Sequence, residues 1–128
     1  MEFRNAILAE IEPELIASFG SDLEQRMMAR GEVVHDVGAP VNWVWFPESA
    51  LVGVATENLE GESVSGGLVG WTGVLGAFEA CGSRQSFTRC VVEIEGRGRR
   101  LRAGRYRELF DRSPGLRTAV HKHIEAQM

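Results

Sequence analysis

From Gly31 to Gly104 the chain is cut into short runs by turn residues, and this texture leaves few architectures open. Val33-Val34-His35 follows Gly31, and Gly38-Ala39-Pro40 reads as a turn. Val41 to Phe46 is aromatic and β-branched and stops at Pro47. Leu51 to Thr56 is closed by Asn58-Leu59-Glu60-Gly61, and Ser63 to Val69 carries Gly66-Gly67 inside it. Phe87 to Ile94 is the longest such stretch and ends at Gly96; Arg97 to Arg102 alternates weakly and ends at Gly104. Many short strands at this spacing predict an antiparallel sandwich or jelly roll, not alternating βα units. Between two of the runs lies Thr72 to Ala80, too rich in glycine for a good strand, and a single short helical turn is expected near 73–79.

Both ends read differently. Ile7, Leu8, Ile11 and Leu15 fall at helical spacing, with Pro13 marking a break between two short helices. Near the other end Tyr106, Leu109 and Phe110 share a face. Ser113-Pro114 then restarts a helix, since serine caps well and proline suits the first helical position. Leu116, Val120 and Ile124 follow at i, i+4, i+8, with Ala119 and His123 beside them. At 128 residues the chain is expected to form one domain, divided into N-terminal helices (1–21), a β-roll (22–103) and C-terminal helices (104–128). The apolar seam runs on to the last residues without a Gly or Pro stop, which suggests that a longer relative continues.

No apolar run approaches the length of a membrane helix, and no secretory signal opens the sequence, so a cytoplasmic address without a membrane partner is expected. Two cysteines, Cys81 and Cys90, are too few for a disulfide scaffold or a four-cysteine metal site, and free thiols are expected. Cys90 reads as a small buried core residue, Cys81 as a loop thiol that could be exposed. Charge is unevenly placed: residues 1–83 carry −10 and residues 84–122 carry +7. A basic half can mark an anionic partner. The plainer reading is that Arg97, Arg99, Arg100 and Arg102 lie on the solvent side of strands and meet the acidic half in the fold.

Chemistry-bearing patterns are sparse. His121 and His123 point apart on a helix, and His121 with Glu125 supplies only two ligands, so no metal site is expected. No nucleophile elbow, His-Glu-x-x-His pair or Gly-Lys-Ser/Thr phosphate loop is present, and Gly70, Gly73 and Gly76 read as turn glycines. Trp43 and Trp45 share one strand face and Val44 and Phe46 the other. The tryptophan pair is expected to pack beneath the N-terminal helices, with an external interface as the alternative.

The strings Gly31-Glu32-Val33-Val34, Gly38-Ala39-Pro40-Val41 and Val44-Trp45-Phe46-Pro47-Glu48-Ser49 come in order, followed by Gly67-Leu68-Val69-Gly70, Gly73-Val74-Leu75-Gly76 and Arg112-Ser113-Pro114-Gly115-Leu116-Arg117. Their order and spacing over nearly the whole chain resemble the cyclic-nucleotide-binding-like sensor domain of the Crp/Fnr family of bacterial transcription regulators, in a divergent branch. The resemblance implies a mainly β fold: a double-stranded β-helix, or jelly roll, with N-terminal helices and a C-terminal dimerisation helix. It implies a non-catalytic ligand sensor that signals through that last helix, and a homodimer along Leu116, Ala119, Val120 and Ile124. Members usually continue into a helix-turn-helix domain that this sequence lacks. A sensor domain alone, with no specific DNA binding of its own, is therefore expected, whether as a natural short form or a cut piece.

The resemblance also places a candidate ligand pocket at Gly76, Ala77, Arg84, Gln85 and Ser86. Cyclic-AMP binders of the family carry a Glu for the ribose hydroxyl where Ala77 stands, and an Arg for the cyclic phosphate where Gln85 stands, with Arg84 one residue early. A one-residue shift on a strand turns a side chain to the other face, although a loop insertion could return Arg84 to that role. Only weak cyclic-nucleotide binding is expected, no other cofactor, and the effector is an unidentified small molecule. Two rival readings stand beside this one: a degenerate protein-interaction module without a ligand, and a cupin-like metal enzyme.

Overall fold

The computed structural model describes residues 3–57 and 63–127. Among them, seven strands form two antiparallel sheets: β1 (Glu24–Met28), β2 (Val33–His35), β3 (Trp43–Pro47), β4 (Leu51–Glu57), β5 (Ser63–Val69), β6 (Arg89–Ile94) and β7 (Gly96–Arg102). The order is β1-β7-β3 in one sheet and β2-β6-β4-β5 in the other. A 3₁₀ turn at Leu8–Glu10 and the helix α1 (Pro13–Phe19) precede the strands. A single helical turn, α2 (Ala77–Ala80), lies between β5 and β6, and α3 (Ala103–Arg112) and α4 (Pro114–Gln127) follow β7. This is the jelly roll with helical ends that the resemblance implies, and one of the two architectures that the spacing of the turn residues leaves open. The expected turn at Asn58–Gly61 lies outside the described residues.

Strand alternation sorts the core into two layers. Val44 and Phe46 of β3 join Leu101 of β7 and face the helices, where they meet Ile7, Leu8, Phe19, Tyr106, Leu109 and Leu116. Trp45 points the opposite way, into the roll, with Met28, Val52, Val69, Cys90 and Val92, and Trp43 packs against the same cluster. The expected position of the tryptophan pair beneath the N-terminal helices is thus reversed: Val44 and Phe46 take that place. The reason is the register on β7. It sets Trp43 beside Arg102 and Trp45 beside Arg100, and the Arg100 guanidinium lies 3.7 Å from the centre of the Trp43 ring. A cation over an indole face is attracted by the ring quadrupole, so the arginines cover the outer part of the tryptophan face.

The acidic and basic halves of the chain meet, as their opposite charges suggest. Arg89 pairs with Asp36 (3.1 Å), Arg99 with Glu48 (3.5 Å), Arg100 with Glu24 (3.0 Å) and Arg105 with Asp22 (3.0 Å). The Arg89–Asp36 and Arg105–Asp22 pairs are exposed and contribute little stability each, whereas Arg99–Glu48 is largely buried; the placement of all four helps fix which strands lie together. β1 is the strand with no sequence signature. Its residues include no β-branched or aromatic side chain, and it is held by pairing along β7 from Glu24↔Arg100 to Met28↔Gly96.

Candidate functional site

The segment before α2 is held at three points. Asn5 is fully buried. Its Nδ2 donates to Pro47 O (2.7 Å) and Gly73 O (2.9 Å), and its Oδ1 accepts from the N–H groups of Ile7 (2.9 Å) and Leu8 (3.3 Å). Leu75 exchanges two backbone hydrogen bonds with Trp45, at 2.9 and 3.0 Å. Gly76 then turns the chain into α2 at φ +86°, where a Cβ would lie 2.8 Å from the His35 ring and 3.0 Å from Val41. Only glycine combines that dihedral with that space. At the far end of α2, Arg107 of α3 donates to Ala80 O (3.1 Å).

Between this segment, the inner face of the roll and α4 lies a cavity of about 290 Å³. Val54, Val69 and Cys90 line it from the strands, Leu75 to Glu79 from the α2 segment, and Val120, His123 and Ile124 from α4. Phe78 and Phe87 stand at its rim, mostly exposed, with ring centres 6.1 Å apart. Thr88, Glu79, His123 and Cys90 are the polar side chains of the lining. Burial pushes the Glu79 carboxyl above its ordinary range, opposed only by a hydrogen bond to its own backbone. Burial also lowers His123, against an opposing contact with the Val74 backbone, and raises the Cys90 thiol, which the Thr88 hydroxyl partly offsets. No salt bridge reaches Glu79 among the described residues.

His123 ties α4 to the cavity wall. A Cβ on Gly73 would come within 2.5 Å of the His123 ring and 2.7 Å of Val69. The imidazole therefore rests directly on the glycine backbone, in contact between α4 and the segment that follows β5.

Of the residues expected to form a pocket, Gly76 and Ala77 line the cavity and Arg84, Gln85 and Ser86 are not among its lining residues. Those three build a short ladder with the 38–41 turn: Gly38 N–H donates to Ser86 O (2.9 Å), Ser86 N–H to Ala39 O (2.9 Å) and Val41 N–H to Arg84 O (2.9 Å). Arg84 sits exposed at φ +64° and Gln85 is exposed. Ser86 is buried, its hydroxyl bonded to Thr88 O (2.7 Å). On α4, Leu116 and Val120 are buried in the chain's own helical core layer, while Ala119 and Ile124 are only partly covered by it. Cys81 is exposed and Cys90 buried, both as free thiols. The Glu125 side chain, offered above as a partner for His121, lies outside the described residues. Among the described residues no three His, Cys, Asp or Glu side chains gather as a metal site would need, and no helix is long and apolar enough to cross a membrane.

Glu79, His123 and the Phe78–Phe87 pair are the site residues that the sequence reading missed. One signal was present: Glu79 is the sole charged residue between Glu62 and Arg84. A single charge in an otherwise apolar, glycine-punctuated stretch marks a position that packing alone does not explain.

No protein-family model and no curated protein matches the sequence. Solved structures do match in fold. The c-di-GMP responsive global regulator CLP of Xanthomonas campestris superposes with a TM-score of 0.76 at 15% identity, over 91% of this chain and 59% of that one. The sensor domain of the transcriptional regulator DNR from Pseudomonas aeruginosa gives 0.74 at 11% identity, over 94% of this chain and 81% of that one. The regulatory subunit of a cAMP-independent protein kinase A from Trypanosoma cruzi, bound to guanosine, gives 0.77 at 14% identity, over 86% of this chain and 38% of that one. The chain thus spans less than two thirds of the regulator CLP and of the kinase subunit. The fold is the jelly roll of cyclic-nucleotide-binding domains and Crp/Fnr-type regulators, and the matched proteins are regulators or regulatory parts.

Proposed function

We propose that this chain is a non-catalytic, cytoplasmic sensor domain of a Crp/Fnr-like transcription regulator, in which a small molecule in the roll cavity repositions α4. The observation that carries the reading is the composition of the cavity wall. One wall belongs to the roll, one to the α2 segment and one to α4, with His123 seated on Gly73 between the last two. A ligand that enters must touch all three, so its binding free energy is coupled to the position of the helix. Cyclic AMP is not the expected ligand. Ala77 offers no side-chain acceptor to a ribose hydroxyl, and Arg84, whose carbonyl joins the 38–41 ladder, is exposed and not among the cavity's lining residues. A homodimer along α4 belongs to the same proposal. It is supported by the partial cover of Ala119 and Ile124, and it is modest in affinity because Leu116 and Val120 already serve the core. Sequence-specific DNA binding by these 128 residues alone is not part of the proposal.

Indole, a neutral bicycle, serves as the probe. Hydrogen exchange at saturating indole is expected to slow in α4 and in residues 73–80 together, while cyclic AMP at about 100 µM leaves both unchanged (binding weaker than roughly −5.5 kcal/mol). Failure of indole to bind, or protection of the 73–80 segment without α4, would overturn the sensor reading.

A further inference from the structure

Filling this cavity asks for an unusual guest. Its volume, about 290 Å³, is near twice the roughly 150 Å³ that encloses a benzene ring in a protein core. A fused bicycle with a short arm fits; a dinucleotide does not. Val54, Val69, Leu75 and Ile124 make most of the wall apolar. Into this wall projects one carboxyl group, Glu79, nine-tenths buried and with no Lys or Arg among the lining residues. Its own backbone supplies a hydrogen bond but no cation among the lining residues neutralises it, and a carboxylate desolvated without a counter-charge is costly. An anionic ligand would add a second negative charge beside it with nothing to neutralise either. A ligand cation would supply the missing partner. The rim favours the same sign: Phe78 and Phe87 present exposed ring faces, and aromatic faces attract cations.

From these features we infer that the cavity takes a small, largely apolar amine, its ring system held by the apolar wall and its ammonium group donating to the Glu79 carboxylate. This rests on the reading of the cavity as the ligand site, and names the class of ligand within it. It also gives Glu79 a binding role, in a position where the family resemblance supplied only Gly76 and Ala77.

Calorimetry on the full chain at pH 7 with tryptamine, indole and indole-3-acetate tests the inference. The three share one ring system and differ in the charge of the arm. Tryptamine is expected to bind about ten- to hundredfold more tightly than indole-3-acetate, as charge-assisted hydrogen bonds of this kind contribute. Glu79→Gln is expected to remove that preference and to leave the unliganded chain at least as stable to heat, since it removes a buried charge that no Lys or Arg of the lining neutralises. Equal binding of tryptamine and indole-3-acetate, or an unchanged tryptamine affinity in Glu79→Gln, would overturn the assignment of charge while indole binding keeps the cavity as a ligand site. Binding of none of the three would overturn both.

Discussion

Asn5 is the side chain on which the most backbone depends. Its amide satisfies two carbonyls and two N–H groups from three separated segments, all out of contact with water. Asn5→Ala removes the amide and leaves those four groups without partners, so a loss of about 2–4 kcal/mol in urea unfolding is expected, larger than a typical substitution gives. A loss below about 1 kcal/mol would mean that water or a backbone shift replaces the amide at little cost. Among the described residues two buried side-chain atoms, unlike those of Asn5, have no partner: the Tyr106 hydroxyl and Nδ1 of His35, whose Nε2 lies 3.1 Å from Trp43 O. Burial lowers the His35 pKa, so the folded roll holds this ring neutral. A group of this kind favours folding above its ordinary value near 6.5 and loses that contribution as pH falls through the lower folded value.

At the scale of elements, α4 is started by a clasp that spans the chain. The Ser113 hydroxyl accepts from Leu116 N–H (3.0 Å) and donates to the Glu12 carboxylate, whose second oxygen accepts from Gly115 N–H (2.9 Å). A carboxylate at a helix N-terminus also meets the positive end of the helix dipole. The Ser113 hydrogen bond is the first cause holding Glu12 below the ordinary carboxylate range, followed by its own and Gly115 backbone N–H groups. Glu12 therefore contributes to stability above that range, and the contribution disappears as pH falls through its lowered folded value. Ser113→Ala is expected to cost about 1 kcal/mol at neutral pH and to make the acid-side decline shallower, in thermal melts between about pH 3 and pH 7. An acid limb identical to that of the parent chain would remove Glu12 from the clasp.

Much of this level was legible beforehand. Ser113-Pro114 announced α4, and turn residues bounded most strands, because caps and turns are local chemistry. β1 was not legible, since Glu24–Met28 becomes a strand only through β7. The cavity was half legible for the same reason. Gly76 and Ala77 came from the family resemblance, which follows neighbouring residues along the chain, but His123 meets Gly73 only after the whole roll has intervened.

For the molecule as a whole, the α4 stripe decides between a free domain and a pair. Sedimentation at about 100 µM is expected to show dimer (association stronger than roughly −5.5 kcal/mol), and Ala119→Glu, placing a charge opposite its symmetry mate, is expected to split it. A monomer at that concentration would leave Ala119 and Ile124 as the edge of the chain's own core. The division of charge has a different consequence, one that belongs to synthesis. Glu24 and Arg100 are separated by 76 positions, and the arginines that pair with Asp22, Glu24, Asp36 and Glu48 all come from residue 89 onward. On a translating ribosome the acidic segment emerges first, without its counter-charges and without the central strand that β1 and β3 share. Self-repulsion keeps that nascent segment open, and non-local pairing of this kind is slow to nucleate. The roll can therefore close only after β7 has left the exit tunnel.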